Sequence, residues 1–239
     1  MKYFLIGLLS LFSSGLYAAA DSFPPPFTAV YKVYVKGLPV GEGTRTLSTL
    51  PGNQFLFESI AKTTGFLSFF KKIRIEERSV FMLVDGKVRP EEYIYQQKGT
   101  KPRLNMVFFD WLKKTAENLY KGETKIIQLE EDTLDRLVYQ AVLMQDLKKQ
   151  QGKPLQDVEY KIANKGQIQV YRPHFVGEEY VETGIGKLKT VKYERRSSNS
   201  NRRTTFWCAP SLHYLPVQVE HVEKDGDVFR LELKSVKGL

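Results

Sequence analysis

The single cysteine of the chain, Cys208, lies five residues before His213 in "TTFWCAPSLHYLPVQVE", residues 204–220. A thiol with an imidazole in hydrogen-bond reach can form a nucleophile and its base. The thiolate then needs an electropositive, partly exposed place. The flanks argue otherwise. Phe206 and Trp207 precede the cysteine, Ala209-Pro210 follows it, and Pro210 holds Ala209 in an extended or turn conformation. Cys208 therefore reads as a small buried apolar residue. An intermolecular disulfide is its alternative fate in an oxidising compartment, since a lone cysteine has no partner within the chain.

The remaining chemistry-bearing residues are sparse. His174, His213 and His221 offer no close pair of the kind a zinc site uses, so no metal and no cofactor is expected. Acidic pairs stand at Glu76-Glu77, Glu91-Glu92, Glu130-Glu131 and Glu178-Glu179. Two carboxylates flanking a bond can hydrolyse a glycoside, but neighbours on a strand point to opposite faces. Each pair reads as a solvated strand edge. A hydrolase or glycan-modifying enzyme would have to bring Glu178, Glu179, Asp135 and His213 together from distant strands into one pocket. Gly41-Glu42-Gly43 sits between two strand-like runs and has no helix on which to place a phosphate. A Gly-x-Ser-x-Gly elbow and a Walker loop are both missing from the sequence.

The elements that would position these groups are mostly strands. In "FTAVYKVYVKG", Phe27, Ala29, Tyr31, Val33 and Val35 share one face, and Lys32 and Lys36 the other. In "QFLFESIAKT", Phe55, Phe57 and Ala61 do the same. Ten further runs between residues 72 and 236 are rich in β-branched and aromatic residues. Asp85-Gly86 and Asp225-Gly226 are hairpin signals that tolerate the positive φ of a type I′ turn. Turns are also expected at 51–53, 164–166 and 184–186. Many short strands joined this way imply a mainly β protein with an antiparallel sheet that curls or closes.

One segment departs from this pattern. "DTLDRLVYQAVLMQDLKKQQG", residues 132–152, spaces Leu134, Leu137, Val138, Ala141 and Met144 or Gln145 as a helix stripe. Asp132 or Thr133 is the expected cap, and Gly152 with Pro154 the stop, which puts the helix at about 133–151. It is expected to plug or cover the sheet; a detachable or membrane-surface helix is the alternative. "RSVFMLVDGKVRPEEYIY" echoes "RTTFWCAPSLHYLPVQVE", each with Phe three positions after a basic residue and a proline heading the next strand. The echo is what any two hairpins share, or else the mark of two related halves around the helix.

Met1-Lys2, the apolar run 3–16 and the small residues at 18–20 read as a secretory signal peptide cut near Ala20. The run is shorter than the about 20 residues that a spanning helix needs. Without a cysteine after it, lipoprotein modification is not expected. A Pro-rich linker, 21–26, then leads into one β-rich domain, 27–239. The expected address is the periplasm. The net charge is +9, but an exported protein rarely meets nucleic acid. Pairs such as Lys71-Lys72, Lys113-Lys114, Lys148-Lys149, Arg195-Arg196 and Arg202-Arg203 read as solvated faces. Nucleic acid is excluded as a partner on these grounds. Peripheral contact with an anionic membrane surface fits the charge better. A monomer is expected.

The stretches "GFLSFFKKIRIEERSVFMLVDGKVRPEEYIYQQKG", "FFDW", "LDRLVYQAVL", "YRPHFVGEEYVETGIGKLKTVKYER" and "RRTTFWCAPSLHYLPVQVE" occur in that order. Together the chain resembles an uncharacterised bacterial exported family, domain-of-unknown-function family 3108. Trp207, Pro210, Tyr214, Pro216 and Val217 carry the likeness, as do Val176-Gly177-Glu178-Glu179 with Thr183 and Gly186, and Asp135 and Tyr139 at the family's helix. Val138 departs from the usual serine, and Cys208 stands at a variable apolar position. The resemblance implies a soluble periplasmic protein. Its fold is a long curved antiparallel sheet, an open barrel or β-spiral, with one amphipathic helix packed in or against the concave face. It supplies no catalytic residues. The expectation is thus a non-enzymatic envelope protein that supports envelope integrity. It would bind an apolar or amphipathic ligand, or a protein partner, around Asp135, Tyr139, Glu178, Glu179, Trp207 and Tyr214. Envelope lipid, lipoprotein, glycan and periplasmic protein are the partner classes, and a structural adaptor without a ligand is the other alternative.

Overall fold

The computed structural model describes residues 23–65, 72–99, 101–197 and 200–239. The signal peptide read at residues 1–20 lies outside them. The strands are β1 (Phe27–Val35), β2 (Leu38–Leu50), β3 (Gln54–Thr63), β4 (Arg74–Val84), β5 (Lys87–Lys98), β6 (Arg103–Asp110), β7 (Thr115–Tyr120) and β8 (Glu123–Gln128), then β9 (Thr133–Leu134). A helix, α1 (Tyr139–Lys149), separates these from β10 (Tyr160–Asn164), β11 (Gln167–Tyr171), β12 (His174–Thr183), β13 (Gly186–Arg196), β14 (Arg203–Ala209), β15 (Leu215–Val222) and β16 (Val228–Lys237). Thirteen strands form one antiparallel sheet in the order β12-β13-β14-β15-β16-β1-β2-β3-β4-β5-β6-β7-β8. The chain starts in the middle of the sheet, builds one wing as a meander, crosses through the helix, and returns to build the other wing up to β1.

The sheet is long and curved but not closed. The tip of the β12–β13 hairpin folds back onto β16, where Gly184 N–H donates to the Leu233 carbonyl at 2.7 Å. Only glycine fits there: a Cβ at 184 would stand 2.3 Å from the Lys234 carbonyl oxygen. At the other edge, buried amides clip the β10–β11 hairpin to β6 and β7. Asn118 Nδ2 donates to Asn105 Oδ1 (2.7 Å), Asn105 Nδ2 to Asn164 Oδ1 (3.1 Å), and Gly166 N–H to Asn118 Oδ1 (2.6 Å). The three asparagines are buried, so the network fixes one register for the small sheet.

Alternation decides what the concave face holds. Phe27, Ala29, Tyr31, Leu47, Phe57, Phe81, Tyr193, Phe206 and Leu233 all turn inward and are buried. Phe23, within the Pro-rich stretch, joins them edge-on to Phe55 and Phe81. Three fully buried tyrosines keep their hydroxyls bonded: Tyr31 to the Pro216 carbonyl (3.0 Å), Tyr93 to Glu77 (2.7 Å) and Tyr193 to the Gln156 carbonyl (3.0 Å). The helix lies against this face. Tyr139, Ala141, Leu143, Met144, Gln145 and Leu147 are buried, most of its circumference, as expected of a plug.

Three expectations change. The helix begins at Tyr139, later than 133, because Thr133–Leu134 pairs in parallel with Lys161–Ile162 as β9. Asp132 has a left-handed φ of 59°, and Thr133 bonds Glu130, so neither caps the helix. Asp225-Gly226 is not a type I′ turn, since only Gly226 has positive φ; Asp85-Gly86 does have both. Finally β2, β7 and β12 are strands that the sequence reading passed over. β2 carries Gly41 and Gly43, β7 is short and polar, and β12 is an edge strand with little apolar alternation.

Candidate functional site

The residues singled out from sequence do not share one place. Cys208 is fully buried, and burial holds its thiol well above the usual range. His213 follows a short 3-10 turn, Pro210–Leu212, with a left-handed backbone. Among the described residues no hydrogen bond joins it to Cys208. The corner is a packing device, with Trp207 and Tyr214 buried on it. Pro216 heads β15 opposite Cys208, beside a bulge. Pro90 likewise faces Phe81 beside a bulge in β4–β5, so the two echoing stretches share this device. Cys208→Ala is expected to cost only about 1 kcal/mol. The wild-type thiol should resist maleimide until denaturant is added. Rapid native labelling would contradict this.

Glu178 and Glu179 point to opposite faces of β12. Glu178 pairs with Lys189 at 2.6 Å. Glu179 lies on the convex face, where it pairs with Lys192 (3.0 Å) and accepts the Trp207 indole N–H. These bonds, that of Lys192 first, hold its carboxyl below the usual range. Asp135 is on the other side of the sheet, in the interior. Among the described residues no hydrogen bond or ion pair links any two of Glu178, Glu179, Asp135 and His213. The carboxylate dyad asked of a glycosidase is not formed by them.

Asp135 does have a definite task. Its Oδ1 accepts the N–H groups of Leu137 (2.7 Å) and Val138 (2.8 Å), and Oδ2 accepts the Ser79 hydroxyl (2.5 Å). It caps the turn that enters α1 and ties it to β4. Burial raises its pKa to about 6, against the lowering effect of those three donors.

What sequence reading missed is a pair of polar rows across the apolar concave face. Partners directly opposite each other share a face. Ala29, Arg45, Ser59, Glu77, Tyr95 and Asn105 stand opposite one another from β1 to β6. In the other wing, Arg195, Thr204 and His221 do the same from β13 to β15. Arg195 donates to Thr204 Oγ1 at 3.1 Å, and that hydroxyl meets His221 Nδ1 at 2.9 Å. Burial lowers the His221 pKa, against the raising effect of Glu223.

Between the rows lie Arg136, from the turn before α1, with Tyr139 and Tyr171. The Arg195 guanidinium is 3.8 Å from the Tyr171 ring centre, Arg45 is 5.4 Å from Tyr31, and Arg136 is 5.9 Å from Tyr95. Burial pulls the Arg136 pKa down, but Tyr93 and the Glu77 carboxylate more than offset this and raise it. Burial raises the Tyr139 hydroxyl to about 12, while Arg195, Arg136 and Arg45 all pull it down. One group thus feels all three cations. Two readings need correcting. Arg195 faces the interior, and only Arg196 is a solvated member of its pair; Glu77 likewise faces inward instead of lying on a solvated edge.

Two surface clefts, of about 190 Å³ and 210 Å³, are lined by Asn118, Tyr120 and Lys165 and by Lys32, Glu182 and Glu232, among others. Both are smaller than the roughly 300–1,000 Å³ of ordinary ligand pockets. Among the described residues no helix is long and apolar enough to cross a membrane.

The family model described as "Protein of unknown function (DUF3108)" matches residues 30–234. No curated protein matches. Among solved structures, a "Beta-barrel-like Protein of Domain of Unknown Function DUF1849" from Brucella abortus is similar with a TM-score of 0.54 at 7% identity. The match covers 90% of this chain and 98% of that one. A "putative lipoprotein" from Parabacteroides distasonis is similar at a TM-score of 0.37 and 14% identity, over 90% and 98% of the two chains.

Proposed function

Since the chain belongs to this family of unknown function, DUF3108, we propose from its own residues that it is a non-enzymatic periplasmic protein of the cell envelope. Its concave β-surface takes up an amphipathic ligand or a protein segment. The observation that carries this reading is the pair of polar rows, Arg45–Ser59–Glu77–Tyr95 and Arg195–Thr204–His221, set into an otherwise apolar concave face. Apolar walls with a few convergent polar groups are how a site orients an amphipathic guest. The leader at residues 1–20 supports export. Protein purified from the periplasm should carry a co-purifying amphiphile or peptide, seen by native mass spectrometry and solvent extraction. A protein that is retained in the cytoplasm, or that is exported empty, sinks this reading.

A second reading, a structural adaptor, is favoured by the edge strand β12. It exposes Val176 (54%) and Tyr180 (64%) at the outer edge of the large sheet, where a further strand could add. Photo-cross-linking from position 180 in the periplasm would trap a protein partner if this edge is used, and nothing if it is not.

A further inference from the structure

The β3–β4, β5–β6 and β7–β8 connections lie along one end of the sheet, and they gather cations that the fold does not neutralise. Lys62, Arg74 and Lys98 stand directly opposite one another on β3, β4 and β5, on the convex face. Like charges in that register destabilise a sheet. Glu76 meets two of them, Arg74 at 2.6 Å and Lys98 at 3.5 Å. Glu42 lies opposite Lys62 but is held by Lys234 at 2.8 Å. The β5–β6 connection adds Lys101, with Arg103 at the start of β6. It packs on Lys72, since a Cβ at Gly99 would collide with the Lys72 carbonyl oxygen. Among the described residues Lys62, Lys72, Lys101 and Arg103 enter no ion pair. At the β7–β8 turn one cleft of about 190 Å³ is lined by Lys121, Lys125 and Lys165, with Glu123 as its carboxylate. The Lys121 and Lys165 ammonium groups each lie 5.6 Å from the Tyr120 ring centre. Among the described residues these three lysines too are without an ion pair. At the same end of the other wing the charges are matched: Lys36, Arg196 and Arg202 each meet a carboxylate within 2.7 Å.

We propose that this end of the β3–β8 wing docks on an anionic phospholipid bilayer. The proposal goes beyond the concave face and shares with it only the envelope address. A surface of phosphate headgroups attracts clustered lysine and arginine, and it supplies the counter-charge that the row Lys62–Arg74–Lys98 lacks within the chain. The small cleft suits a single headgroup phosphate, with three lysines on its walls. Leu104 and Ile126 are exposed on the convex face next to Arg103 and Lys125, and they add the apolar contact that strengthens interfacial binding. Farther along the same face Glu92 and Glu117 stand on either side of Phe108. The charge thus changes sign away from the turns, which orients the molecule with its basic end toward the membrane.

Vesicle co-sedimentation of the mature protein tests this with two compositions, phosphatidylcholine alone and phosphatidylcholine mixed with phosphatidylglycerol. The protein should bind the anionic vesicles at low salt, leave the neutral ones in solution, and release most of its binding at about 1 M salt, where charges are screened. Lys62→Gln with Lys98→Gln removes two members of the row and leaves Arg74 on Glu76. Lys121→Gln with Lys165→Gln empties two walls of the cleft. Each pair should weaken binding by about tenfold or more, since one cation near such a surface is worth about fivefold. All four side chains are exposed, so both variants keep the fold. Lys113→Gln with Lys114→Gln, in the β6–β7 turn at the opposite end, should bind as wild type. Equal binding to both vesicles, binding to neither, or wild-type binding by both variant pairs overturns the docking surface. So does an equal loss in the Lys113 and Lys114 pair, which would mean that net charge alone is at work. Vesicle binding does not depend on a guest in the concave face, so anionic vesicles bound by a protein that is exported empty would sink the earlier reading and keep this one.

Discussion

Asp135→Ala is expected to lower the free energy of unfolding by about 3–5 kcal/mol, and Asp135→Asn by much less. The alanine strands three donors at once. The Ser79 hydroxyl and the N–H groups of Leu137 and Val138 lose their acceptor in a place that water does not reach. Each buried donor left unpaired costs about 1–3 kcal/mol. Asparagine keeps an oxygen for the two N–H groups, and its amide can donate to Ser79. The pH dependence separates charge from capping. The folded carboxyl holds its proton up to about pH 6, whereas the unfolded one releases it near 3.8. Between those values the folded state binds more protons, so wild-type stability contributed by this group falls as pH rises through the window and is level above it. Two pH units correspond to about 3 kcal/mol. Urea unfolding from pH 4 to pH 8 should show the Asp135→Asn variant gaining on wild type as pH rises, then running parallel. If the two curves stay parallel throughout, the carboxyl is not titrating there.

Asp135 also shows how far the sequence could be read. Period-two alternation placed Phe27, Ala29, Tyr31, Phe55 and Phe57 on the buried face, and all five are there. Asp85-Gly86 turned as its chemistry requires. The helix stripe was legible because Leu137, Val138, Ala141 and Met144 obey one period. Its start was not, because Thr133 and Leu134 answer to a strand, β10, that lies 28 residues away in sequence. Lys36-Gly37 and Lys121-Gly122 make the same positive-φ turns as Asp85-Gly86, yet lysine carries no local signal for them. Arg45 has the parity of Leu47, and Arg195 that of Tyr193, so alternation itself put both inside. Charge alone argued for the surface. When parity and polarity disagree, the residue is a candidate for function, because a fold pays to keep it there.

Whether the helix is a fixed plug decides how any guest could enter, and Leu143→Ala measures it. Leu143 and Leu147 are 0% exposed and Met144 is 1% exposed, on a helix buried around most of its circumference. Truncating Leu143 removes apolar contact and leaves a cavity between helix and sheet. The neighbours are already tied by Asp135–Ser79 and by the Tyr160 hydroxyl bonded to Asp146 (3.1 Å), so they cannot close it easily. The expected cost is about 3–5 kcal/mol. Native-state hydrogen exchange then tells where that energy is felt. If the helix is part of the single core, amides of residues 143–147 and of β1 and β4 exchange only through global unfolding. Leu143→Ala should lower their protection by the same amount. A detachable helix behaves differently: its amides exchange far faster than those of Tyr31 or Ser79, and the substitution leaves the strands untouched. The first result would confine any guest to the arginine rows beside a permanent plug. The second would make the helix itself the gate over the concave face.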